Sequence, residues 1–322
     1  RLTALHESLA ALKMLESLDV SENQLTVLPW FLATMPRLVI VGARGNAFTD
    51  PDIARIANTP ISRFRRSPLL TYIREFAKGS VEQNRLQLLV LGHGEVGKTT
   101  LVQALQTSRL GSLFSGKVKD QHRTRFVTSS TWETDKLVFS IRDFPGQPQF
   151  YATNSQFLSA DHSVVMVCCS LEDAARTREV QLRQWLSVVD RLAQWGMKLS
   201  CRCIIVCTKA DKIKDKELAA ERGWAESLVA ELQHQYPSAR IEAPFVLVNG
   251  RDPGAVRDTL RPTAVRCGRA LVQGQQVPVF VNAIRAAVAK AHENHVLSPW
   301  MATAQFTSWL HSEGTALRLS IK

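Results

Sequence analysis

Apolar residues recur along this chain with three different rhythms, and each rhythm predicts a different kind of element. In residues 1–50, Leu2, Leu25 and Phe48 stand 23 positions apart, as do Leu5 and Leu28, Leu9 and Leu32, and Leu15 and Leu38. That interval is far longer than a helical or strand period and predicts a structural unit stacked on a copy of itself. From Thr49 to Asn84 the chain turns polar and basic, through Arg63, Arg65 and Arg66, until Leu69, Leu70, Ile73 and Phe76 fall on one helical face. Beyond Asn84 the third rhythm begins, with short continuous apolar runs at 88–91, 137–141, 203–207 and 245–248. Helical patterns at 100–105, 180–195 and 216–233 separate them. Buried strands alternating with helices predict an α/β sheet, mostly parallel and six-stranded, with helices on both faces and a ligand at the carboxyl ends of the strands.

The 23-residue interval has an internal pattern. Leu15-x-x-Leu18-x-Val20-x-x-Asn23-x-Leu25 has the form of a leucine-rich repeat, and Leu38-x-x-Val41-x-Ala43-x-x-Asn46-x-Phe48 repeats it. Each unit is expected to give one short strand whose leucines are buried only by stacking on a neighbour. An amphipathic helix does not fit, because Asn recurs where the apolar pattern breaks and Pro29 and Pro36 interrupt it. Fewer than three repeats are visible, so residues 1–50 are expected to be the end of an array. Residues 51–84 then form its cap and a connecting helix. The chain opens with Arg1 inside a repeat, and further sequence is expected upstream.

Chemistry concentrates where the runs at 88–91, 137–141 and 203–207 end. Gly92-His93-Gly94-Glu95-Val96-Gly97-Lys98-Thr99 has the form G-x-x-x-x-G-K-[ST], between a strand and a helix that opens with Thr100. Such a loop turns backbone N–H groups around a triphosphate, Lys98 supplies charge to the β- and γ-phosphates, and the Thr99 hydroxyl is a Mg²⁺ ligand. Asp143-Phe144-Pro145-Gly146-Gln147 follows, as D-x-x-G-Q. There Asp143 can hold Mg²⁺ through water, the Gly146 N–H can sense the γ-phosphate, and Gln147 can orient the attacking water. Thr208-Lys209-Ala210-Asp211 matches [NT]-K-x-D. Its carboxylate accepts from guanine N1–H and the exocyclic amine, while the Lys209 stem packs over the base. Thr208 stands in the usual asparagine position and is expected to hold the loop less firmly. Asn249-Gly250 resembles the last base-contacting loop. The expected ligands are GTP or GDP and Mg²⁺.

Composition narrows the remaining classes. At 322 residues, with 45% hydrophobic and 21% charged content, the chain can bury a large core and build two or three units. It has no run of about 18 apolar residues, so no membrane-spanning helix is expected. Cys168, Cys169, Cys201, Cys203, Cys207 and Cys267 lack the paired spacing of a zinc site and read as buried, reduced thiols of a cytoplasmic protein. The formal charge of +11 is spread along the chain without interleaved aromatics, which favours a solvated basic surface over a nucleic-acid site.

Repeats running through a short connector into a Ras-like domain resemble the Roco family, whose GTPase domain is called Roc and is followed by a COR dimerisation domain. The local matches are Leu69-Leu70-x-Tyr72-Ile73, the D-F-x-G-Q form at Asp143 to Gln147, Phe150-Tyr151-Ala152-Thr153 and Phe157-Leu158. On this resemblance residues 85–273 are the Roc domain, and 274–322, from Val277-Pro278 to Trp309, begin a COR domain. It implies protein partners on the repeats and a homodimer through COR. Thr124, eight positions before Trp132, resembles the family's switch threonine and becomes the candidate sensor of γ-phosphate and Mg²⁺. Phe126 stands where the family has glycine, and Asn154 where it commonly has histidine. Those departures imply slow hydrolysis. A nucleotide-holding scaffold without turnover stays open beside the switch, while Asp211 argues against an ATP-using enzyme.

Overall fold

The computed structural model describes residues 1–58, 67–107, 127–134, 136–146, 163–195 and 201–293. They divide into two compact units, one of residues 1–83 with 274–291 and the other of residues 84–273.

In the first unit, β1 (Ser17–Asp19) and β2 (Ile40–Gly42) pair in parallel with Ser17 opposite Ile40, so the 23-residue interval reappears as strand register. Asparagines tie the two turns together. Asn46 Nδ2 donates to the Val20 and Ala43 carbonyls, its Oδ1 accepts from the Leu25 amide, and Asn23 Oδ1 accepts from the Leu2 amide. Each therefore satisfies backbone groups that a tight turn would otherwise leave unpaired. Three helices complete this stack: α1 (Phe31–Thr34), α2 (Pro51–Ala57) and α3 (Pro68–Ala77). Leu69, Leu70 and Ile73 of α3 join Leu25, Leu32, Leu38 and Val41 in one core. Arg74 caps the turn before β2, donating to the Ala33, Met35 and Leu38 carbonyls. After β3 (Ser80–Glu82) the chain leaves this unit.

The second unit is a six-stranded sheet, β4 (Arg85–Gly92), β5 (Thr128–Thr134), β6 (Leu137–Asp143), β7 (Ser163–Ser170), β8 (Arg202–Thr208) and β9 (Ile241–Leu247), in the order β5-β6-β4-β7-β8-β9. All neighbours are parallel except β5 with β6. Alternation along β4 sends Leu86, Leu88 and Val90 to one core and Leu89 and Leu91 to the other. The first core is covered by α4 (Lys98–Gln106) and α7 (Arg261–Val272), the second by α5 (Ala175–Trp195) and α6 (Asp215–Gln235). All eight residues of β7 are buried, as a strand covered on both faces requires. Sequence periodicity misses β5, because an edge strand exposed along one side carries mostly polar residues. Its Trp132 is buried and stacks on Phe139 with ring centroids 4.8 Å apart. The helix α7 and the pair formed by β3 with β10 (Gln276–Pro278), antiparallel and back in the first unit, were likewise not legible. The helix α8 (Val279–Glu293) follows, and its Arg285 donates to Gln83 and to Asp52.

Close packing makes one helical glycine in this unit sensitive. A Cβ on Gly268 of α7 would lie 2.9 Å from Phe139 Cζ, 3.1 Å from Leu86 Cδ1 and 3.2 Å from Leu137 Cδ1. Alanine normally gains about 1 kcal/mol over glycine in a helix. Phe139 is fully buried against Trp132 and cannot yield, so overpacking of about 1–3 kcal/mol is expected to win. Gly268→Ala should therefore lower the melting temperature by several degrees, at roughly 2–4 °C per kcal/mol for a domain of this size. A calorimetric melt at or above the wild-type temperature would contradict it.

Candidate functional site

Parallel strands bring their carboxyl ends to one edge of the sheet, and the registers Val90 opposite Asp143, Gly92 opposite Cys168 and Ser170 opposite Thr208 align the loops there. The loop after β4 is shaped by left-handed backbone at Glu95 (φ 66°) and Gly97 (φ 87°). A left-handed conformation at Glu95 is costly for a residue with a Cβ, and such strain clusters at ligand sites. Gly97 then precedes α4 without a side-chain cap, leaving the helix N-terminal amides for an anion.

Lys98 lies in the first turn of α4 and folds back, donating from Nζ to the Gly92 carbonyl at 2.9 Å and the His93 carbonyl at 2.7 Å. An ammonium has three N–H donors, so one remains for a phosphate oxygen. Burial pushes the Lys98 pKa below that of a free lysine, opposed by the nearby Asp143 carboxylate. Asp143, at the end of β6, has its pKa raised by burial against the opposing effects of the Thr99 hydroxyl and Lys98. The Thr99 hydroxyl donates to Asp143 Oδ2 at 2.5 Å, while the buried Asp143 Oδ1 has no hydrogen-bond partner. A hard cation fits this arrangement. Mg²⁺ takes one or two protein oxygens and completes its octahedron with water and substrate phosphates. Among the described residues, no group of three His, Cys, Asp or Glu could hold a metal by itself.

Burial of the Asp143 carboxylate thus opposes stability. A raised folded-state pKa gives stability that is present in acid and lost as pH rises through that pKa. Asp143→Asn removes the buried charge, so the nucleotide-free domain in chelator is expected to melt as high as wild type or higher, with less loss between acid and neutral pH. The same variant should lose the Mg²⁺ dependence of nucleotide binding. Melts across pH, paired with titrations with and without Mg²⁺, check both halves.

Gly146 closes the site over the phosphate loop. A Cβ there would fall well inside van der Waals contact with the His93 carbonyl and Lys98 Nζ, so only glycine permits the approach. Gly94 stands near the Gly146 carbonyl. On the far side of the loop, the buried Thr208 hydroxyl lies 2.5 Å from the Val96 carbonyl and 3.0 Å from that of Cys169. One hydroxyl proton serves both acceptors, and it links β8, β7 and the phosphate loop. Lys209 is left-handed (φ 59°), and its ammonium pairs with Glu172 at 2.6 Å. Asp211 follows in an exposed turn, tied to the end of β9 where the Ala210 amide donates to the Val248 carbonyl. Asn249 Oδ1 accepts from the Arg251 amide, and Gly250 packs near Leu101 of α4. Thr100 continues α4 after Thr99. Thr124 and Gln147 lie outside the described residues, as do Phe126, Asn154 and the end of the run to Trp309.

Sequence reasoning did not find His93 and Trp185 as a pair. The indole Nε1 of Trp185 on α5 donates to His93 Nδ1 at 3.3 Å, with the rings edge-on at 6.3 Å. Ninety-two positions separate them, and no local pattern encodes the contact. The six cysteines are buried and free, Cys169 and Cys207 in hydrogen-bond contact at 3.6 Å. No helix among the described residues is long and apolar enough to cross a membrane.

Residues 87–211 match the family model described as "Ras of Complex, Roc, domain of DAPkinase". The chain is 22% identical over 293 residues to leucine-rich repeat serine/threonine-protein kinase 1 of Caenorhabditis elegans, covering 84% of this chain and 12% of that protein. It is 27% identical over 164 residues to probable serine/threonine-protein kinase pats1 of Dictyostelium discoideum, covering 45% of this chain and 5% of that one. It therefore spans a small part of both relatives. Among solved structures, Methanosarcina barkeri Roco2 RocCORdC bound to GDP aligns at 18% identity and a TM-score of 0.40, over 62% of this chain and 53% of that chain. The Arl6 BBS3 small GTPase of Trypanosoma brucei, with a bound nucleotide analogue, aligns at 19% identity and a TM-score of 0.39, over 57% of this chain and 99% of that one. Between residues 87 and 211 the chain carries the sequence signature of the Roc domain, and the unit containing them has the Ras-like P-loop GTPase fold.

Proposed function

We propose that this chain carries a switch that binds GTP and GDP with Mg²⁺ and hydrolyses GTP slowly. The observation that carries the reading is the Thr99 hydroxyl on Asp143 Oδ2 beside an unpartnered Asp143 Oδ1, with Lys98 held on the same loop. The loop amides and Lys98 neutralise the phosphates, Thr99 and Asp143 hold the cation, and the Gly146 N–H meets the γ-phosphate. Gln147 orients water for in-line attack, and Thr124 closes over the γ-phosphate. Asp211, Lys209 and Asn249 surround the base, which Thr208 supports from below. Arginine supply governs the rate of such enzymes, by roughly 10³–10⁵. Without an activating partner, turnover here is slow.

Residues 1–50 belong to the end of a leucine-rich-repeat array that offers a protein-binding surface, a reading supported by the 23-residue strand register and the asparagine ties. Residues 51–84 cap and connect it. Residues 274–322 begin a COR segment through which two copies associate and the nucleotide state is read out.

Calorimetric titration with GDP, a non-hydrolysable GTP analogue and its ATP counterpart, each with Mg²⁺, tests the central claim, followed by phosphate release from GTP. Guanine-selective binding with slow release is expected. Folded protein that binds none of the three would overturn it, and binding without release that Gln147→Leu leaves unchanged would favour a nucleotide-holding scaffold.

A further inference from the structure

The backbone of His93 touches both Lys98 and Gly146. Its carbonyl accepts from Lys98 Nζ at 2.7 Å, and the same carbonyl stands against Gly146 so closely that no Cβ fits between. Its side chain leaves the loop for α5. There Nδ1 accepts from the Trp185 indole at 3.3 Å. Trp185 is itself buried at 4% exposure within the core of Leu89, Leu91 and Leu186, so its indole is a fixed donor. The loop pattern G-x-x-x-x-G-K-[ST] leaves the second position open, and α5 carries none of the nucleotide motifs. No nucleotide motif accounts for the contact between them.

We propose that His93 is a positioning residue that ties the phosphate loop to α5 through Trp185, fixing the His93 carbonyl against Lys98 and Gly146 and so setting the preference for triphosphate over diphosphate. The inference rests on the nucleotide-binding reading above. A γ-phosphate draws on Lys98 and the Gly146 amide, both of which abut the His93 carbonyl, and displacement there pulls on the ring held by α5. The ring must be unprotonated at Nδ1 to accept from the indole. Burial lowers the His93 pKa, opposed by Gln184 and helped by Lys98, a direction that favours the unprotonated ring.

Two substitutions separate this role from simple packing. His93→Phe keeps a ring but removes the acceptor, whereas His93→Asn places an amide oxygen close to where Nδ1 stands. The measurement is the ratio of affinities for the GTP analogue and GDP, by titration in Mg²⁺, for wild type and both variants, each checked for a cooperative melt. His93→Phe is expected to lower the ratio about 2- to 10-fold, the worth of one neutral hydrogen bond, and His93→Asn to restore most of it. Indole emission gives an independent readout. The GTP analogue should change it in wild type, and most of that change should vanish in Trp185→Phe and in His93→Phe. GDP binding with the wild-type ratio in His93→Phe, or an equal loss in both variants, would overturn the positioning role while leaving the nucleotide reading intact. Wild-type protein that binds neither nucleotide would overturn both.

Discussion

Lys98→Met is expected to weaken GDP and GTP binding by about 10- to 10²-fold, since it removes the one charge-assisted phosphate bond left to the ammonium, worth about 1.5–3 kcal/mol. The fold should survive. Lys98 is a buried cation, its pKa lowered by that burial, and methionine replaces its length without its charge. Two costs oppose each other: the variant relieves the buried ammonium but leaves the Gly92 and His93 carbonyls without their donor. Each is of the order of 1–3 kcal/mol, so the melting temperature of nucleotide-free protein should stay near that of wild type. Titration calorimetry and melting, run on the same preparation, read the two quantities apart. Wild-type affinity in the variant would remove Lys98 from the site. A collapsed melt would instead show that the lysine is a structural donor to its own loop.

Asp211→Asn should change which base is bound rather than whether phosphates are held. Guanine presents N1–H and an exocyclic amine, both donors, to a carboxylate that can only accept. Asparagine offers one acceptor and one donor pair, so one of guanine's donors meets another donor. Loss of one of the two hydrogen bonds to a charged group, with a donor left facing a donor, is worth about 10-fold or more against GDP. Xanthine carries a carbonyl in place of the amine and fits the asparagine instead. Competition among GDP, XDP and ADP on wild type and variant should therefore show the order of guanine and xanthine inverted, with ADP poor in both. The turn holding Asp211 is fixed by the backbone bond from Ala210 to Val248, which the substitution does not touch. An unchanged guanine preference would place base recognition elsewhere.

The legible part of this protein was the part in which neighbours in sequence are neighbours in space. The loop after β4 was readable because its glycines, lysine and threonine fall within eight positions, and φ at Glu95 and Gly97 is set locally. Apolar runs announced β4, β6 and β8 because strands buried on both faces cannot carry polar residues. The 23-residue interval was legible for a similar reason, since Ser17 meets Ile40 by stacking a unit on its immediate successor. The strand β5 was not, because an edge strand with one wet face has a nearly polar composition and only Trp132 marks its buried side. The β3–β10 pair was hidden too, each strand being three residues long and joined across nearly the whole second unit.

The sequence by itself determined the loop at the end of β4 and the sheet that presents it, because spacing within a loop and periodicity within an element are short-range properties. Which groups meet across the site was decided by tertiary structure alone. The Thr99 hydroxyl reaches Asp143 across 44 positions, Thr208 reaches Val96 across 112, and Trp185 reaches His93 across 92. Periodicity says which face of an element is apolar but not which element will cover it, and a hydroxyl or an indole N–H donates to whatever acceptor the packed sheet brings within 3 Å or so. The orphaned oxygen of Asp143 and the ring of His93 acquired their chemistry only when parallel strands aligned their ends and buried both.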